Sequence, residues 1–433
     1  ARRGARMALT VTGLGGLALL GGILLLGEIV GSYELSNVLA AGDQVRAHPL
    51  YTLTLVLILL GAFTKSAQFP FHFWLPHAMA APTPVSAYLH SATLVKAGVF
   101  LLARLFPVLS GTAEWSWLVI GAGVSTLLIG AWLALFKHDL KGLLAYSTIS
   151  HLGLITLLFG IATPLAAVAG VFHIINHATF KASLFMAAGI IDHECGTRDM
   201  RRINGLWRYM PYTGTLAMVA AASMAGVPLF NGFLSKEMFF AETASFLEEH
   251  PWGWALPGIV VVAGMLAVAY SLRFIHDVFF NGDPVDLPRT PHEPPFWMKV
   301  PVEVLVALCL LVGVLPALTV EPLLNVASAG MLQEATPDHN LAIWHGFNLP
   351  FMMSVAALLG GVLIYAGRKP LFLLAARLAG RLDAKAVYAW LLAGLLGFAG
   401  GLTERLDNGS LQRMVLLFVV SAVTLGPVSY THL

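Results

Sequence analysis

The chain has 433 residues, of which 58% are hydrophobic and 11% are charged, and its formal net charge is +2. Soluble domains carry about 25% charged residues, so this composition excludes a soluble protein and indicates an all-α polytopic membrane protein. So small a net charge gives no reason to expect a nucleic-acid partner. The cysteines, Cys195 and Cys309, fit neither a disulfide framework nor a Cys-x-x-Cys metal site. Because the motifs of soluble enzymes are also lacking, we expect neither a cofactor nor an enzymatic activity.

Apolar segments close to the ~20 residues that a bilayer requires recur along the chain and predict about twelve transmembrane helices. They lie at roughly 8–30, 51–68, 83–106, 115–136, 143–161, 165–191, 211–247, 255–281, 299–323, 347–367, 384–402 and 411–430. The prolines predict that the second helix is broken within Lys65–Pro76, with a half-helix from about Phe71 to Ala80, and that the seventh is cut within Gly226–Gly232. The chain starts without Met and ends abruptly, so we expect it to be a fragment.

The end of the second predicted helix carries a lysine, Lys65, followed by Pro70, His72 and Pro76. An ionisable residue beside a broken helix is typical of an ion site near the midplane of a transporter. The alternative is a loop at the membrane surface, with Lys65 among the lipid headgroups. The local sequence does not choose between these interpretations.

The basic residues divide between the two ends of the predicted helices and so predict their orientation. One side collects Arg2, Arg3, Arg6, Lys137, Lys141, Arg198, Arg201, Arg202, Arg208, Arg289, Lys299, Arg368, Lys369, Arg377, Arg381 and Lys385. The opposite side has Arg46, Arg104, Arg405 and Arg413. By the positive-inside rule the first side, with the N-terminus of this chain, is cytoplasmic. The remaining lysines fall within predicted membrane segments, which favours a functional role for Lys65, Lys96, Lys181 and Lys236.

The two breaks also indicate a weak internal repeat. Lys65 lies beside the break in the second helix, and Lys236 lies beside the break in the seventh. An odd offset of five helices places the two copies in opposite orientations across the membrane. We therefore expect an inverted-topology repeat with two discontinuous helices.

Further ionisable residues cluster on other predicted helices. His173, His177 and Lys181 are spaced by four and eight residues, so they share one helical face, with Asn176 beside them. His90 and Lys96 lie on the third predicted helix, and Glu237 follows Lys236. Lipid cannot satisfy such side chains, so they should face the bundle interior and form a polar line along the membrane plane. Groups of this kind can load and release protons as neighbouring charges move.

Other interpretations remain open for parts of this set. His173 and His177 have the spacing of two zinc ligands, but no further ligand is suitably placed, and we expect no metal. His90 taken alone has the character of a hydrogen-bonded contact between helices. For the whole set, a further interpretation is a purely structural scaffold, whose lysines are paired but take no part in transport.

At these residues the chain resembles the antiporter-like subunits shared by respiratory complex I and the Mrp multisubunit Na⁺/H⁺ antiporters. The matching stretches are Lys65–Pro70, Pro82–Ala87, His90–Thr93, Asp139–Ser150, His173–Ala182 and Gly232–Glu237. The resemblance implies two inverted five-helix repeats, with residues 1–110 as the truncated first repeat, 111–283 as the second and 284–433 as extra C-terminal helices. It also implies that Lys65 and Lys236 are the lysines of the broken helices. His90 would follow Lys65 in the relay, and His173, His177 and Lys181 would form its centre.

Two features favour similarity to the large A-type component of the Mrp antiporters over complex I: Lys96, and the tail Asn408–Arg413 leading into a further helix. The resemblance implies a component of a Na⁺/H⁺ antiporter in a prokaryotic plasma membrane. Its partners would be the other small and antiporter-like membrane subunits of the complex. The alternative is a proton-pumping membrane component of complex I or of a membrane-bound hydrogenase. In the family the first lysine pairs with a glutamate from an earlier helix, which would lie upstream of this chain.

Overall fold

The computed structural model describes residues 2–249, 253–378, 384–406 and 410–430, and these residues are almost entirely helical. Arg381 and the first residues of Asn408–Arg413, used above for orientation and resemblance, lie outside this part of the chain. The chain divides into two compact units, residues 1–375 and 376–433. In the described residues the extended pairing is limited to one isolated bridge, between Asp139 and Asp199.

Fourteen α-helices of the described residues are numbered here in chain order. They are α1 Arg2–Val30, α2 Tyr51–Lys65, α3 Thr83–Ser91, α4 Ala97–Arg104, α5 Ala113–Leu135, α6 Leu140–Ile161, α7 Pro164–Cys195, α8 Pro211–Ala225, α9 Asn231–Glu249, α10 Ala255–Leu272, α11 Phe296–Val314, α12 Leu349–Ala366, α13 Ala384–Leu406 and α14 Leu411–Tyr430. The other α-helices of the described residues are Leu35–Ala40, Gly42–Ala47, Phe106–Leu109, Pro316–Thr319, Glu321–Leu332 and Arg368–Leu378.

Eight helices among the described residues are long and apolar enough to cross a membrane. They are Gly4–Val30, Thr83–Arg104, Ala113–Leu135, Leu140–Ile161, Pro164–Cys195, Ala255–Asp277, Phe296–Val314 and Leu349–Ala366. The all-α membrane class is therefore confirmed, whereas the count of twelve stays a prediction. Helices α2 and α8 have only 15 residues each, because each ends at a break in the chain.

Side-chain caps define where several of these helices begin. Thr112 accepts a hydrogen bond from Trp115 N, Asp139 from Gly142 N, and Thr163 from Ala166 N. Ser, Thr, Asp and Asn at this position satisfy amides that have no partner within the helix. Three successive helices that surround the site, α5, α6 and α7, therefore start at residues that the local sequence specifies.

The second predicted helix is interrupted where the prolines placed the break. Helix α2 ends at Lys65, and Phe71–Ala80 continues as a 3-10 helix with Pro76 inside it. The Trp74 indole Nε1 donates to Thr64 O at 3.0 Å, so one carbonyl freed at the break is satisfied by a side chain.

The seventh predicted helix is interrupted at Gly226. Gly226 has φ +83°, a left-handed conformation that glycine adopts without steric cost, and both its amide and that of Val227 bond back to Ala222 O. The chain then resumes as α9 at Asn231, so the halves are joined by the segment 226–230.

The span predicted over 83–106 is present as Thr83–Arg104, but it is not one continuous helix. Helix α3 ends at Ser91, a single 3-10 turn covers Leu94–Lys96, and α4 begins at Ala97. The Ser66 hydroxyl donates to Val95 O at 2.7 Å and accepts from Val99 N at 2.9 Å. Ser66, in the first break, thus satisfies backbone groups that the interruption between α3 and α4 leaves free. The local sequence of 83–106 does not reveal this partner.

Candidate functional site

Helix α7 is 32 residues long and carries the polar stripe predicted from the sequence. His173, His177 and Lys181 are fully buried, and Asn176 is 1% exposed. The stripe therefore lies in the interior of the bundle, where its polar atoms depend on neighbouring helices for partners.

The Lys181 ammonium lies between two other helices. Its Nζ donates to Ser147 Oγ of α6 at 2.7 Å and lies 3.2 Å from Met224 Sδ, near the end of α8. The hydroxyl is a good acceptor, whereas the thioether is a weak one. Lys181 is thus held by two neutral groups.

Lys236, on the first turns of α9, reaches back across the second break. Its Nζ donates to Met224 O at 2.8 Å and to Ala225 O at 2.9 Å. The last carbonyls of a helix have no partner within it and carry the negative end of the helix dipole, so they attract a cation. The break therefore creates the acceptors for Lys236, and Met224 contacts both Lys181 and Lys236.

Lys96 forms a hydrogen bond to α7. Its Nζ donates to Ile174 O at 2.7 Å, and Ile174 follows His173 on α7. Lys96 is 4% exposed and Lys236 is 7% exposed, so both ammonium groups are removed from solvent.

These three lysines have no direct counter-charge in the described part of the chain. The ion pairs found there involve arginines or histidines with carboxylates, and none includes Lys96, Lys181 or Lys236. An uncompensated buried charge is costly, so positive charge here depends on neutral dipoles and on the charge state of its neighbours.

His151 of α6 belongs to the site although the sequence did not predict it. Its Nδ1 lies 2.9 Å from His173 Nε2, and the two rings stack with centroids 5.1 Å apart. The His177 ring is 5.2 Å from the His151 ring. His173 Nδ1 in turn lies 3.0 Å from Ser235 Oγ of α9. A usable signal existed, because His151 is an ionisable residue inside the span predicted over 143–161.

Two buried histidines contact aromatic rings and have no hydrogen-bond partner among the described residues. His90 stacks on Phe185 of α7 with centroids 5.1 Å apart, and both nitrogens of His90 and of His177 are unpaired. His177 packs against Phe180 at 5.4 Å. The hydrogen-bonded helix contact considered for His90 is therefore not what the structure shows.

Lys65 stands apart from this group. It is partly buried as the last residue of α2, and none of the described hydrogen bonds or ion pairs includes it. It precedes its break, whereas Lys236 follows the break between α8 and α9. The structure thus brings together Lys96, the α7 stripe and Lys236, but it does not join Lys65 to them by a direct contact.

The remaining predicted site residues are two exposed prolines and two buried ionisable side chains. Pro70 and Pro228 are exposed within the two breaks. His72 is 5% exposed and stacks on Phe69 with centroids 5.9 Å apart. Glu237 is 7% exposed, and its Oε1 lies 3.5 Å from His345 Nδ1, so this carboxylate pairs with a loop histidine.

Among the described residues no group of three or more His, Cys, Asp or Glu side chains is arranged to hold a metal ion. His151 and His173 use the nitrogens that face each other for a mutual hydrogen bond. His151, His173 and His177, with the hydroxyls and lysines beside them, can exchange protons with one another.

Residues 2–264 match the profile of the family described as NADH:quinone oxidoreductase/Mrp antiporter, transmembrane. The chain belongs to this family. It is 59% identical over 437 residues to the A/B component of a probable K(+)/H(+) antiporter of Rhizobium meliloti (strain 1021), covering 98% of this chain and 43% of that protein. It is 43% identical over 387 residues to the A component of the Na(+)/H(+) antiporter of Alkalihalophilus pseudofirmus (strain ATCC BAA-2126 / JCM 17055 / OF4), covering 84% of this chain and 48% of that protein.

The fold matches a polypeptide of a solved Mrp complex. A polypeptide in the structure of the Mrp complex from Dietzia sp. DQ12-45-1b superposes with a TM-score of 0.84 at 37% identity, covering 99% of this chain and 46% of that polypeptide. The protein therefore spans about half the length of the relatives that it matches. The resemblance found from the motifs is confirmed at the level of the family.

Proposed function

We propose that this chain forms part of the ion-translocating component of a monovalent cation/proton antiporter of the Mrp type, a transporter and not an enzyme. Its partners would be the other membrane subunits of that complex, and its location a prokaryotic plasma membrane. The relatives named as components of cation/proton antiporters, and the likeness to a polypeptide of an Mrp complex, support this proposal.

One observation carries the proposed mechanism. Lys96, Lys181 and Lys236 are buried, and in the described part of the chain their ammonium groups bond to neutral acceptors on α7, on α6 and at the end of α8. A buried ammonium without a counter-ion is destabilised, and the destabilisation is relieved when its proton moves to a neighbour or when a neighbouring positive charge leaves. Such groups respond to one another electrostatically, as a proton relay requires.

In the proposed relay, charge entering near Lys65 shifts the proton occupancy of His90 and Lys96. The change passes to His173, His177 and Lys181, and then to Lys236. Coupling between sites is a free-energy linkage, so occupancy at Lys236 must act back on Lys65 with equal magnitude. The acidic partner of Lys65 is expected on a segment upstream of this chain.

The proposed topology has about twelve transmembrane helices, with the N-terminus of this chain cytoplasmic. Residues 1–110 would be the end of one inverted repeat, 111–283 the second repeat, and 284–433 additional helices. The interruptions after Lys65 and after Ala225 support the assignment of one broken helix to each repeat.

The transported cation is proposed only as monovalent. The sequence predicted Na⁺ through the family resemblance, and one relative is named for Na⁺ and H⁺. The relative that is 59% identical is named for K⁺ and H⁺. Flux measurements with each cation separately, in the assembled complex, distinguish the two.

A proton-pumping component of a redox complex is the second candidate, because the family description includes NADH:quinone oxidoreductase. The antiporter relative aligned over 98% of this chain favours the first candidate. Cation-dependent proton movement by vesicles that lack any electron donor would distinguish antiport from redox-driven pumping.

The relay is tested by Lys181→Ala and Lys236→Ala in the full antiporter complex reconstituted into vesicles. We expect each substitution to abolish cation-dependent proton flux, because each removes a proton-carrying group. Lys369→Ala is the matched control, since Lys369 is exposed and should leave the flux unchanged. Wild-type flux in both relay variants would overturn the proposed function.

A further inference from the structure

The connection that leads into α12 contains a strap that is fixed at both ends. Just before it, Thr336 Oγ1 donates to Asn325 O at 3.0 Å, and just after it, Asn348 Oδ1 accepts from Phe351 N at 2.9 Å. The strap itself, residues 337–347, lies within the described part of the chain and forms neither helix nor strand there. Its position therefore depends on side-chain contacts with other elements and not on a regular backbone pattern.

Among the described residues, the polar contact between the strap and α9 is an ion pair. His345 Nδ1 lies 3.5 Å from Glu237 Oε1. The side-chain hydrogen bonds described within the strap are internal, such as the bond from His339 Nδ1 to Pro337 O at 2.9 Å. A separation of 3.5 Å is long for a hydrogen bond, so the attraction between His345 and Glu237 depends mainly on their opposite charges.

Glu237 is buried and takes its counter-charge from the strap. It is 7% exposed, and its ion pair in the described residues is the one with His345. Lys236, its neighbour in the chain, turns its ammonium towards Met224 O and Ala225 O instead. Because an unpaired buried carboxylate is costly, loss of the charge on His345 destabilises the arrangement in which the strap covers Glu237.

The helices around α9 place few other charges near this pair. Among those that pack against it, α8, α10 and α12 carry no Lys, Arg, His, Asp or Glu, and α11 carries Lys299 and Glu303 near its start, away from the end that leads to the strap. Other titratable groups on the strap, on adjacent turns of α9, or beside Ser235 and Lys236 are His151, His173, Lys236, Glu242, Asp338 and His339. In the described residues none of these forms an ion pair with Glu237 or His345, so the charge on His345 governs the attraction.

His345 lies where protons from water can reach it. Of its side chain 28% is exposed, and Trp344 and Phe347 are 55% and 83% exposed. Exposed aromatic side chains at the end of a span are typical of the boundary between lipid and water. In the proposed topology this end of α12 lies on the outer side of the membrane, so His345 responds to the outer pH.

We propose that residues 337–347 form a pH-sensitive strap on the outer side, held on α9 by the ion pair between His345 and Glu237. Histidine is charged at acidic pH and neutral at alkaline pH, so the strap is closed at acidic outer pH and released at alkaline outer pH. Release uncovers Glu237 beside Lys236. The inference rests on the proposed function for its topology, and it adds regulation of the Lys236 site by the outer solution.

The test measures access to the strap in right-side-out vesicles that carry the complete complex. Leu341 of the strap is 6% exposed, so the thiol of Leu341→Cys should react with an impermeant maleimide after the strap leaves α9. The native Cys195 and Cys309 are buried, and the complex without an introduced thiol gives the background. Ala342→Cys is the matched control, because Ala342 is exposed and corrects for the effect of pH on thiol reactivity. We expect the corrected labelling rate to rise on the order of tenfold from about pH 6 to about pH 8.5 outside.

Removal of the imidazole identifies the responsible group. In His345→Ala, labelling of Leu341→Cys should be fast at both pH values, whereas His339→Ala should keep the pH dependence of the wild type. Equal corrected labelling at both pH values in the wild type, or pH dependence that persists in His345→Ala, overturns the strap. Labelling that requires opened vesicles overturns its outer position. If Leu341→Cys does not assemble, amide hydrogen exchange of residues 337–347 in the wild type and in His345→Ala makes the same comparison.

The regulatory role is measured as cation-dependent proton flux at acidic outer pH. There the flux of His345→Ala should exceed that of the wild type, because the strap no longer closes. Wild-type flux in a variant whose strap is open overturns the regulation alone. The labelling requires no ion transport, so its outcome is independent of the flux measured for Lys181→Ala and Lys236→Ala, which tests the proposed function itself.

Discussion

At the residue scale, Asn231 is the side chain that joins the central stripe to the second break. Its Oδ1 accepts from Ser223 Oγ at 2.5 Å, and its Nδ2 donates to Thr179 Oγ1 at 2.8 Å. Asn176 Nδ2 donates to the Asn231 backbone oxygen at 3.0 Å. Both asparagines are almost fully buried, so these bonds have no replacement from solvent.

Asn231→Ala should lower the thermal stability of the assembled protein. The substitution removes the acceptor of the buried Ser223 hydroxyl and one donor to Thr179, and a buried group left unsatisfied costs about 1–3 kcal/mol. The measurement is the midpoint of thermal unfolding in detergent. Asn37→Ala is the control, because Asn37 is exposed and its side chain donates to the exposed Ser32 Oγ. Equal midpoints for the two variants would contradict this role for Asn231.

At the element scale, the halves of the second broken helix depend on a close approach between their backbones. A Cβ atom at Gly232 would lie 1.9 Å from Ser223 O, which only a shift of backbone could relieve. The Gly232 amide also donates to Ser223 Oγ of α8 at 3.2 Å. This approach places Lys236 opposite the terminal carbonyls of α8.

Gly232→Ala should therefore displace α9 from α8 and reduce both the yield of assembled complex and its flux. A matched control is Gly258→Ala in α10, where an added Cβ has no atom within 4 Å. Within a helix alanine is favoured over glycine by up to roughly 1 kcal/mol, so this change in the first turn of α10 should be neutral or stabilising. Size-exclusion chromatography and flux assays measure both effects. Normal assembly and flux of Gly232→Ala would rule out the close approach as a requirement.

At the scale of the whole molecule, the connection 281–295 ties several elements together at one end of the bundle. Val285 N donates to Arg202 O at 2.9 Å, and His292 Nε2 lies 3.2 Å from Glu194 Oε2 at the end of α7. Glu293 accepts from Tyr212 N at 2.7 Å and from Thr213 N at 3.1 Å, in the first turn of α8. A carboxylate at a helix N-terminus satisfies free amides and the positive end of the helix dipole.

Glu293→Ala should destabilise the fold by about 1–2 kcal/mol, the range for loss of a helix cap. The effect should appear as faster proteolysis of the connection 281–295 and a lower unfolding temperature. Glu303→Ala serves for comparison, since Glu303 accepts an exposed hydrogen bond from the Tyr212 hydroxyl at 2.9 Å and caps no helix amide among the described residues. Indistinguishable proteolysis of the two variants would show that the cap contributes little.

The amino-acid sequence by itself determined the membrane class, both main breaks and the burial of Lys96, Lys181 and Lys236. These features follow from composition, from proline and from the cost of charge in lipid, which act locally. The tertiary structure alone decided that Lys236 bonds the end of α8, that His151 joins His173, and that Ser66 supports a third interruption. Such contacts join residues far apart in the chain and depend on how the helices pack, which periodicity along one helix does not specify.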